Sequence, residues 1–293
     1  MAFDKYNAVW VSHSSMGDFL KCPKAYYLHN VYKDPKTNRK MNIVGPAMSL
    51  GLAVHTVLED LNQYPTEGRL NRDLLADFEK AWDPLSGKIG GFVSAEEETE
   101  AKERGKKMIE RVIANPGPLS KKTVKLKPTH NNMPPNIILS EEDSIILCGL
   151  VDWLEYHDED DSISIVDFKT GKHEEADDSL QLPIYLLLLS ELQKRHIRDA
   201  KYWYLEYENE PVVKSLPSIE EAKESVLKVA REVKKVRQNR QFICPRGEEG
   251  CFACRPYEKI LRGEAEFVGV GGYGQDLYVV KSEDERVKRK DAE

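Results

Sequence analysis

The sequence predicts an α/β fold, a small mixed sheet flanked by helices, on three observations. Two strand-like runs, CGLVDWLEY from Cys148 and SISIVDFKT from Ser162, stand either side of a short acidic stretch. A helix with an apolar series at Leu182, Tyr185, Leu186 and Leu189 follows them directly. Charged segments with helical spacing occupy the chain before and after. At 293 residues the chain can bury a substantial core in one large domain or two intimate ones.

Taken in order, residues 9–33 read as two short helices, with Ser14 or Ser15 capping the first and Pro23 opening the second. Tyr26, Tyr27 and Tyr32 read as packing residues. The N-terminus lacks a basic region followed by an apolar run, so no signal peptide is expected. The longest apolar run, LPIYLLLL, is too short to span a bilayer. A cytoplasmic location without membrane contact is the expectation.

Residues 46–63 read as a helix with an apolar stripe at Leu50, Val54, Val57, Leu58 and Leu61. His55 lies beside that stripe. Glu59, one turn later, reads as a solvent-facing helix charge. Residues 71–82 and 94–114 are further helices, the second capped by Ser94, and 62–118 reads as a helical insertion closed by Pro-Gly-Pro. Lys121, Lys122, Lys125 and Lys127 then form a basic stretch, either a solvated loop or a phosphate contact at a groove wall.

NIILS, SIILCGLVDWLEY and SISIVDFKT supply the core strands, and the acids at 158–161 a hairpin turn. Cys148 reads as a small core residue. Residues 178–196 form a helix, 201–208 a strand and 218–239 a long helix. The cations of that last helix, Lys228, Arg231, Lys234, Lys235 and Arg237, are either solvated or track a DNA backbone. GVGGYG has dinucleotide-site spacing but precedes a strand, DLYVV, so it is not read as such a site. Residues 281–293 are a charged tail. No phosphate-loop lysine motif of a nucleotide-driven motor occurs.

Charges inside the apolar strands carry the chemistry. Residues two apart on a strand share a face, so Asp167 and Lys169 project beside Ile163 and Ile165, with Val166 and Phe168 opposite. Asp152 is likewise enclosed by Leu150, Val151, Trp153 and Leu154. Such charges are costly without partners. One reading is a simple ion pair at the sheet surface. The other is two carboxylates on adjacent strands converging on a hard cation, Mg²⁺ or Mn²⁺. That cation would polarise a phosphoryl oxygen, and a lysine beside it would orient water or offset charge. The net charge of −7 argues against a general polyanion-coating protein but leaves room for a local basic groove.

Five cysteines, an odd number, without a recognisable secretory signal argue against a disulfide framework. Cys244, Cys251 and Cys254 stand in C-x6-C-x2-C, with Cys22 as the candidate fourth thiolate. Zinc could occupy four thiolates. The prolines after Cys22 and Cys244 favour iron–sulfur. Either group would close a very long loop between the chain ends.

The wider pattern, G-x-x-D to Asp152, D-x-K-T-G-K from Asp167 and Q-x-x-x-Y from Gln181, resembles the RecB-like nucleases of the PD-(D/E)XK superfamily. The resemblance implies a restriction-endonuclease-like core with Asp152 and Asp167 as metal-binding acids and Lys169 as the catalytic lysine. It implies Gln181 and Tyr185 on the substrate side and the Phe168 carbonyl as a further ligand. G-x-x-x-H-x-x-L-E, from Gly51, resembles the first motif of that group, where the histidine is a metal ligand. His55 thereby joins the set and tilts it toward Mn²⁺. S-x-x-x-F-x-x-C-P-x-x-Y, from Ser15, and the split of one N-terminal and three C-terminal cysteines are similar to AddB-type and CRISPR-associated nucleases. Those hold a [4Fe–4S] cluster this way, although here the longer cysteine gap comes first. Residues 1–280 would then be one nuclease domain, with 9–33 and 240–260 as its iron–sulfur module. The implied activity is Mn²⁺- or Mg²⁺-dependent cleavage of DNA, single-stranded and exonucleolytic, leaving a 5′-phosphate. The setting would be CRISPR adaptation, repair or recombination, with protein partners. The competing reading is a non-cutting subunit that binds DNA ends on the same scaffold.

Overall fold

The computed structural model describes residues 7–126 and 133–280. The sheet that matters most has four strands in the order β5 (Trp153–His157), β6 (Ser162–Lys169), β7 (His196–Tyr204) and β8 (Val212–Lys214). β5 and β6 are an antiparallel hairpin, β6 and β7 run parallel, and β7 and β8 are antiparallel. The parallel step requires a crossover, supplied by α6 (Gln181–Leu192).

β6 is buried along nearly its whole length because each face meets its own core. Ile163 and Ile165 pack with α6 and α7 (Ile219–Asn239). Val166 and Phe168 pack on the other side, against α3 (Pro46–Asp60), α4 (Leu74–Trp82) and α5 (Ala95–Ala114). The alternation expected of SISIVDFKT is therefore the alternation between two cores. At one close approach, a Cβ on Gly105 of α5 would lie 2.5 Å from the Phe78 ring, so only glycine lets α4 and α5 meet there.

Two three-stranded mixed sheets flank this one. β1 (Val9–Val11) and β3 (Asn136–Ser140) sandwich β4 (Ile145–Cys148). β2 (Met41–Ile43) and β9 (Glu266–Val270) sandwich β10 (Asp276–Val279). The GVGGYG stretch lies across the β9–β10 hairpin, and a strand, not a helix, directly follows it. The remaining helices are α1 (His13–Lys21), α2 (Pro23–Tyr26) and α8 (Arg255–Leu261). Among the described residues no helix is long and apolar enough to cross a membrane.

Several elements differ from the sequence expectation. Residues 9–11 are a strand because they pair in parallel with β4. The cap of α1 is Ser12, with Ser15 completing a reciprocal capping box, rather than Ser14 or Ser15 itself. SIILCGLVDWLEY is not one strand. It breaks between Cys148 and Trp153, where the chain leaves one sheet for another, and Leu150 is 61% exposed in the break. Asp152 thus stands just before β5, not within a strand. The helix expected to reach 196 ends at Leu192, and β7 begins at His196. There Arg195 and Arg198 engage the acidic turn, bonding Asp161, Glu159 and Asp160. Cys148 is half-buried, its thiol directed at the Val11 carbonyl. On α7, Arg231 and Lys234 bond Asp143, and Arg237 bonds Tyr26. Those three cations are tied to the body of the protein. Lys127 and the tail from Lys281 lie outside the described residues.

Candidate active site

The site begins with α3. Its apolar stripe packs into the core, and this rotates His55 toward the break before β5. His55 Nδ1 lies 3.0 Å from Glu59 Oε1, one turn along the helix, and 3.5 Å from Asp152 Oδ2. Asp152 Oδ2 accepts a hydrogen bond from the Phe168 backbone N–H at 2.8 Å. That bond ties the acid to the strand carrying Asp167 and Lys169. The Phe168 ring meets the imidazole edge-on, 6.0 Å between centroids. His55, Glu59 and Asp152 each offer a ligand atom, all within 4.8 Å of one another.

Asp167 and Lys169 form the adjoining half. Asp167 is 2% exposed. Its Oδ1 accepts from Gln181 Nε2 at 2.7 Å and from the Tyr185 hydroxyl at 3.0 Å. Its Oδ2 lies 2.9 Å from Lys169 Nζ as an ion pair. Lys169 Nζ also pairs with Glu175 at 3.1 Å, donates to Gln181 Oε1, and sits 4.7 Å above the Tyr202 ring. The Gln181 amide therefore bridges Lys169 and Asp167. Both Gln181 and Tyr185 turn inward onto Asp167 and are buried.

The electrostatics follow from this crowding. Burial, together with the charge of Asp167, pushes Asp152 up to about 7. For His55, burial opposes protonation, but the Glu59 hydrogen bond and the Asp152 charge outweigh it and raise the imidazole to about 9. Burial likewise opposes the charge on Lys169, and Asp167 and Glu175 overcome it, holding the ammonium above its ordinary value. Burial and the neighbouring acids raise the Tyr185 hydroxyl well above the usual phenol range, so it donates and does not ionise.

Asp152 is raised toward neutrality by burial and by the charge of Asp167, a crowding of acids that a bound cation would relieve. Hard oxygens with a single imidazole suit Mn²⁺ or Mg²⁺, so the residues present fit such an ion. Two residues beyond the sequence expectation belong here. Glu59, read as a solvent charge, faces His55, and the i, i+4 spacing carried that information. Glu175 lies in the loop between β6 and α6, where no periodicity marks it; only the fold brings it to Lys169.

The four cysteines form a second group. Cys22 sits between α1 and α2, Cys244 follows α7, and Cys251 and Cys254 precede α8. All four are buried, their sulfurs lie within 4.8 Å of one another, and none is in a disulfide. Burial pushes the Cys22 thiol far up and Cys254 to about 11. At Cys251 burial acts the same way, but the backbone N–H groups of Cys254 and Ala253 outweigh it and lower the thiol. Four buried sulfurs sharing one pocket are a ligand set for a thiophilic metal centre.

A comparison with curated proteins finds no match. The family model for the PD-(D/E)XK nuclease superfamily matches residues 10–260, a span that contains every residue of both groups. Over most of its length, and across the whole of this geometry, the chain belongs to the PD-(D/E)XK nuclease superfamily.

Proposed function

We propose that this protein hydrolyses phosphodiester bonds in DNA, with Mn²⁺ or Mg²⁺ held by His55, Asp152, Asp167 and the Phe168 carbonyl, and with Glu59 as an added oxygen ligand. The observation that carries this reading is the 3.5 Å approach of the α3 imidazole to Asp152 beside a buried, lysine-paired Asp167. An ion bound there lowers the pKa of water and polarises a phosphoryl oxygen.

The chain's own groups do the rest. Lys169 is held charged by Asp167 and Glu175, so it acts as a fixed cation, orienting water and offsetting charge on the phosphate, rather than as a base. Gln181 and Tyr185 fix the Asp167 carboxylate and the Lys169 ammonium in one geometry. Contact with the strand being cut is assigned to them on the motif resemblance. The same resemblance supports end-directed cutting of single strands and a place in CRISPR adaptation or repair.

For the thiolates we assign a [4Fe–4S] cluster, supported by the prolines after Cys22 and Cys244 and by the one-plus-three split of the cysteines. One observation favours zinc as the second reading: sulfurs within 4.8 Å of one another approach the spacing about a single tetrahedral ion, tighter than a cubane holds its thiolates. Visible absorbance and metal analysis of anaerobically purified protein separate the two.

Purified protein with Mn²⁺ is expected to degrade labelled single-stranded DNA, and Lys169→Ala to lose at least ~10²-fold in rate with Mn²⁺ binding retained. Equal cutting by the variant overturns the assignment. Tight Mn²⁺ binding with no cutting by the wild type identifies the non-cutting subunit instead.

A further inference from the structure

Beyond the C-terminal end of α3 lies a cavity of about 470 Å³ that neither the metal site nor the thiolates use. Its walls include Arg69, Lys122, Lys125 and Arg195, and no carboxylate among the described residues. That is a marked concentration in a chain of net charge −7. Lys122 and Arg195 are partly neutralised from outside by Asp158 and Asp161. Arg69 and Lys125 have no carboxylate within ion-pair distance among the described residues.

Arg69 is the informative member. It is 2% exposed. Its terminal nitrogens donate to the Lys121 carbonyl at 3.3 Å and to Thr66 Oγ1 at 3.0 Å, and its guanidinium lies 5.1 Å from the Trp153 ring centroid. Its Nε–H, buried, has no partner. A cation kept dry, with only the charge of Glu67 beyond ion-pair distance to offset its burial and with a donor unused, is costly unless something completes it. Asn62 Oδ1 and Thr123 Oγ1 are also buried without partners, and both residues line the same cavity. The unused groups thus include a guanidinium N–H, a hydroxyl and a side-chain amide whose NH₂ takes the place of its oxygen when the amide is turned over, with the Lys125 ammonium at the rim. This is the donor set of an anion with several acceptor oxygens, and a phosphate matches it.

Position narrows the source of that phosphate. Asn62 follows His55 by seven positions along α3 and its final turn, which places the cavity roughly 10 Å from the metal site at ~1.5 Å per residue. Trp153, under Arg69, directly follows Asp152. The segment 122–124 is held on the edge of β5 by hydrogen bonds to Leu154 and Tyr156, so Lys122 to Lys125 border the strand that leads away from Asp152.

We propose that this cavity seats one backbone phosphate of the nucleic-acid strand engaged at the His55–Asp152 site, a few nucleotides at most from the bond addressed there. The inference rests on the nuclease reading for its ligand, but the cavity's own evidence is independent of cutting. A free phosphate or mononucleotide carries the same chemistry, and the experiment distinguishes these sources.

Binding is measured in EDTA, where no strand is cut, for a single strand of about ten nucleotides, a dinucleotide and inorganic phosphate. Wild type is compared with Lys125→Ala, a rim change, and Thr123→Val, which replaces the buried hydroxyl at nearly constant volume; both spare the Arg69 tie, and melting temperatures verify the fold. The long strand is expected to bind each variant about 3- to 10-fold more weakly, with a salt dependence reduced by about one ion for Lys125→Ala, while the dinucleotide is unaffected. Unchanged long-strand affinity and salt dependence in both variants overturn the proposal. So does a wild type that binds inorganic phosphate through these residues but shows no strand preference, which would mark a free-phosphate site. A wild type that binds the strand with this dependence yet never cuts it would remove the hydrolase reading and leave the cavity assignment standing.

Discussion

The charge balance of the proposed metal site should make its affinity for Mn²⁺ steeply pH-dependent. His55 and Asp152 must both be deprotonated to act as ligands, and both hold protons unusually well, at about 9 and about 7. The sign follows directly: protons compete with the ion below those values, so affinity climbs as pH rises and levels only above about 9. Treating the two groups as independent, the fraction with both protons removed grows by ~10²- to 10³-fold from pH 6 to pH 8. At pH 7.5 binding should release about one proton, mostly from His55. Isothermal titration with Mn²⁺ in two buffers of different ionisation enthalpy reads both quantities. In His55→Gln the pH dependence should shrink to the order of tenfold, the share of Asp152 alone. A flat affinity between pH 6 and 8, or the same proton count in the His55 variant, would refute the claim that this imidazole gives way to the ion.

Three further outcomes follow from particular contacts. Tyr185→Phe removes one of two hydrogen bonds to the buried Asp167 Oδ1 and should cost ~1.5–3 kcal/mol in urea denaturation, with kcat falling more than KM changes. Gly105→Ala pushes a methyl into the Phe78 ring and should destabilise by ~1–3 kcal/mol, again by denaturation, while Mn²⁺ affinity stays at the wild-type value. Cys22→Ser removes the thiolate that joins the N-terminal helices to the C-terminal three. The purified variant should lose bound metal by elemental analysis and melt earlier, whereas Cys148→Ser, outside the group, should keep its metal.

What the sequence made readable was local and periodic. Alternation in SISIVDFKT placed Asp167 and Lys169 on one face, and helical spacing fixed the stripe that aims His55. The clustered cysteines announced a shared pocket because buried thiols so close in sequence have few other uses. The break in SIILCGLVDWLEY was hidden for a physical reason: the apolar run continues through it, and only sheet pairing at β4 and β5 reveals that the chain changes partners there. Residues 9–11 were hidden in the same way, since three residues become a strand only by finding β4. Glu175 and Arg69 belong to loops, where position is set by distant contacts.

Those two residues nevertheless obey the rule that exposed Asp167 and Lys169 to the reader of the sequence. A charge withdrawn from water must be repaid by a partner, so the useful question about each buried ion is which partner completes it. For Lys169 the structure answers with Asp167, Glu175 and Gln181, and the set closes on itself. For Asp152, buried beside the charge of Asp167 and held close to neutrality, the proposed divalent cation is the partner that would complete it. For Arg69 it supplies no carboxylate at ion-pair distance among the described residues, only the more distant Glu67, and the partner that would complete it has the opposite sign. An acid-rich centre that wants a cation and, two helical turns along the same rim, a basic cavity that wants an anion are complementary demands. A metal-assisted cut in a polyanionic strand meets both at once, and a small neutral substrate meets neither.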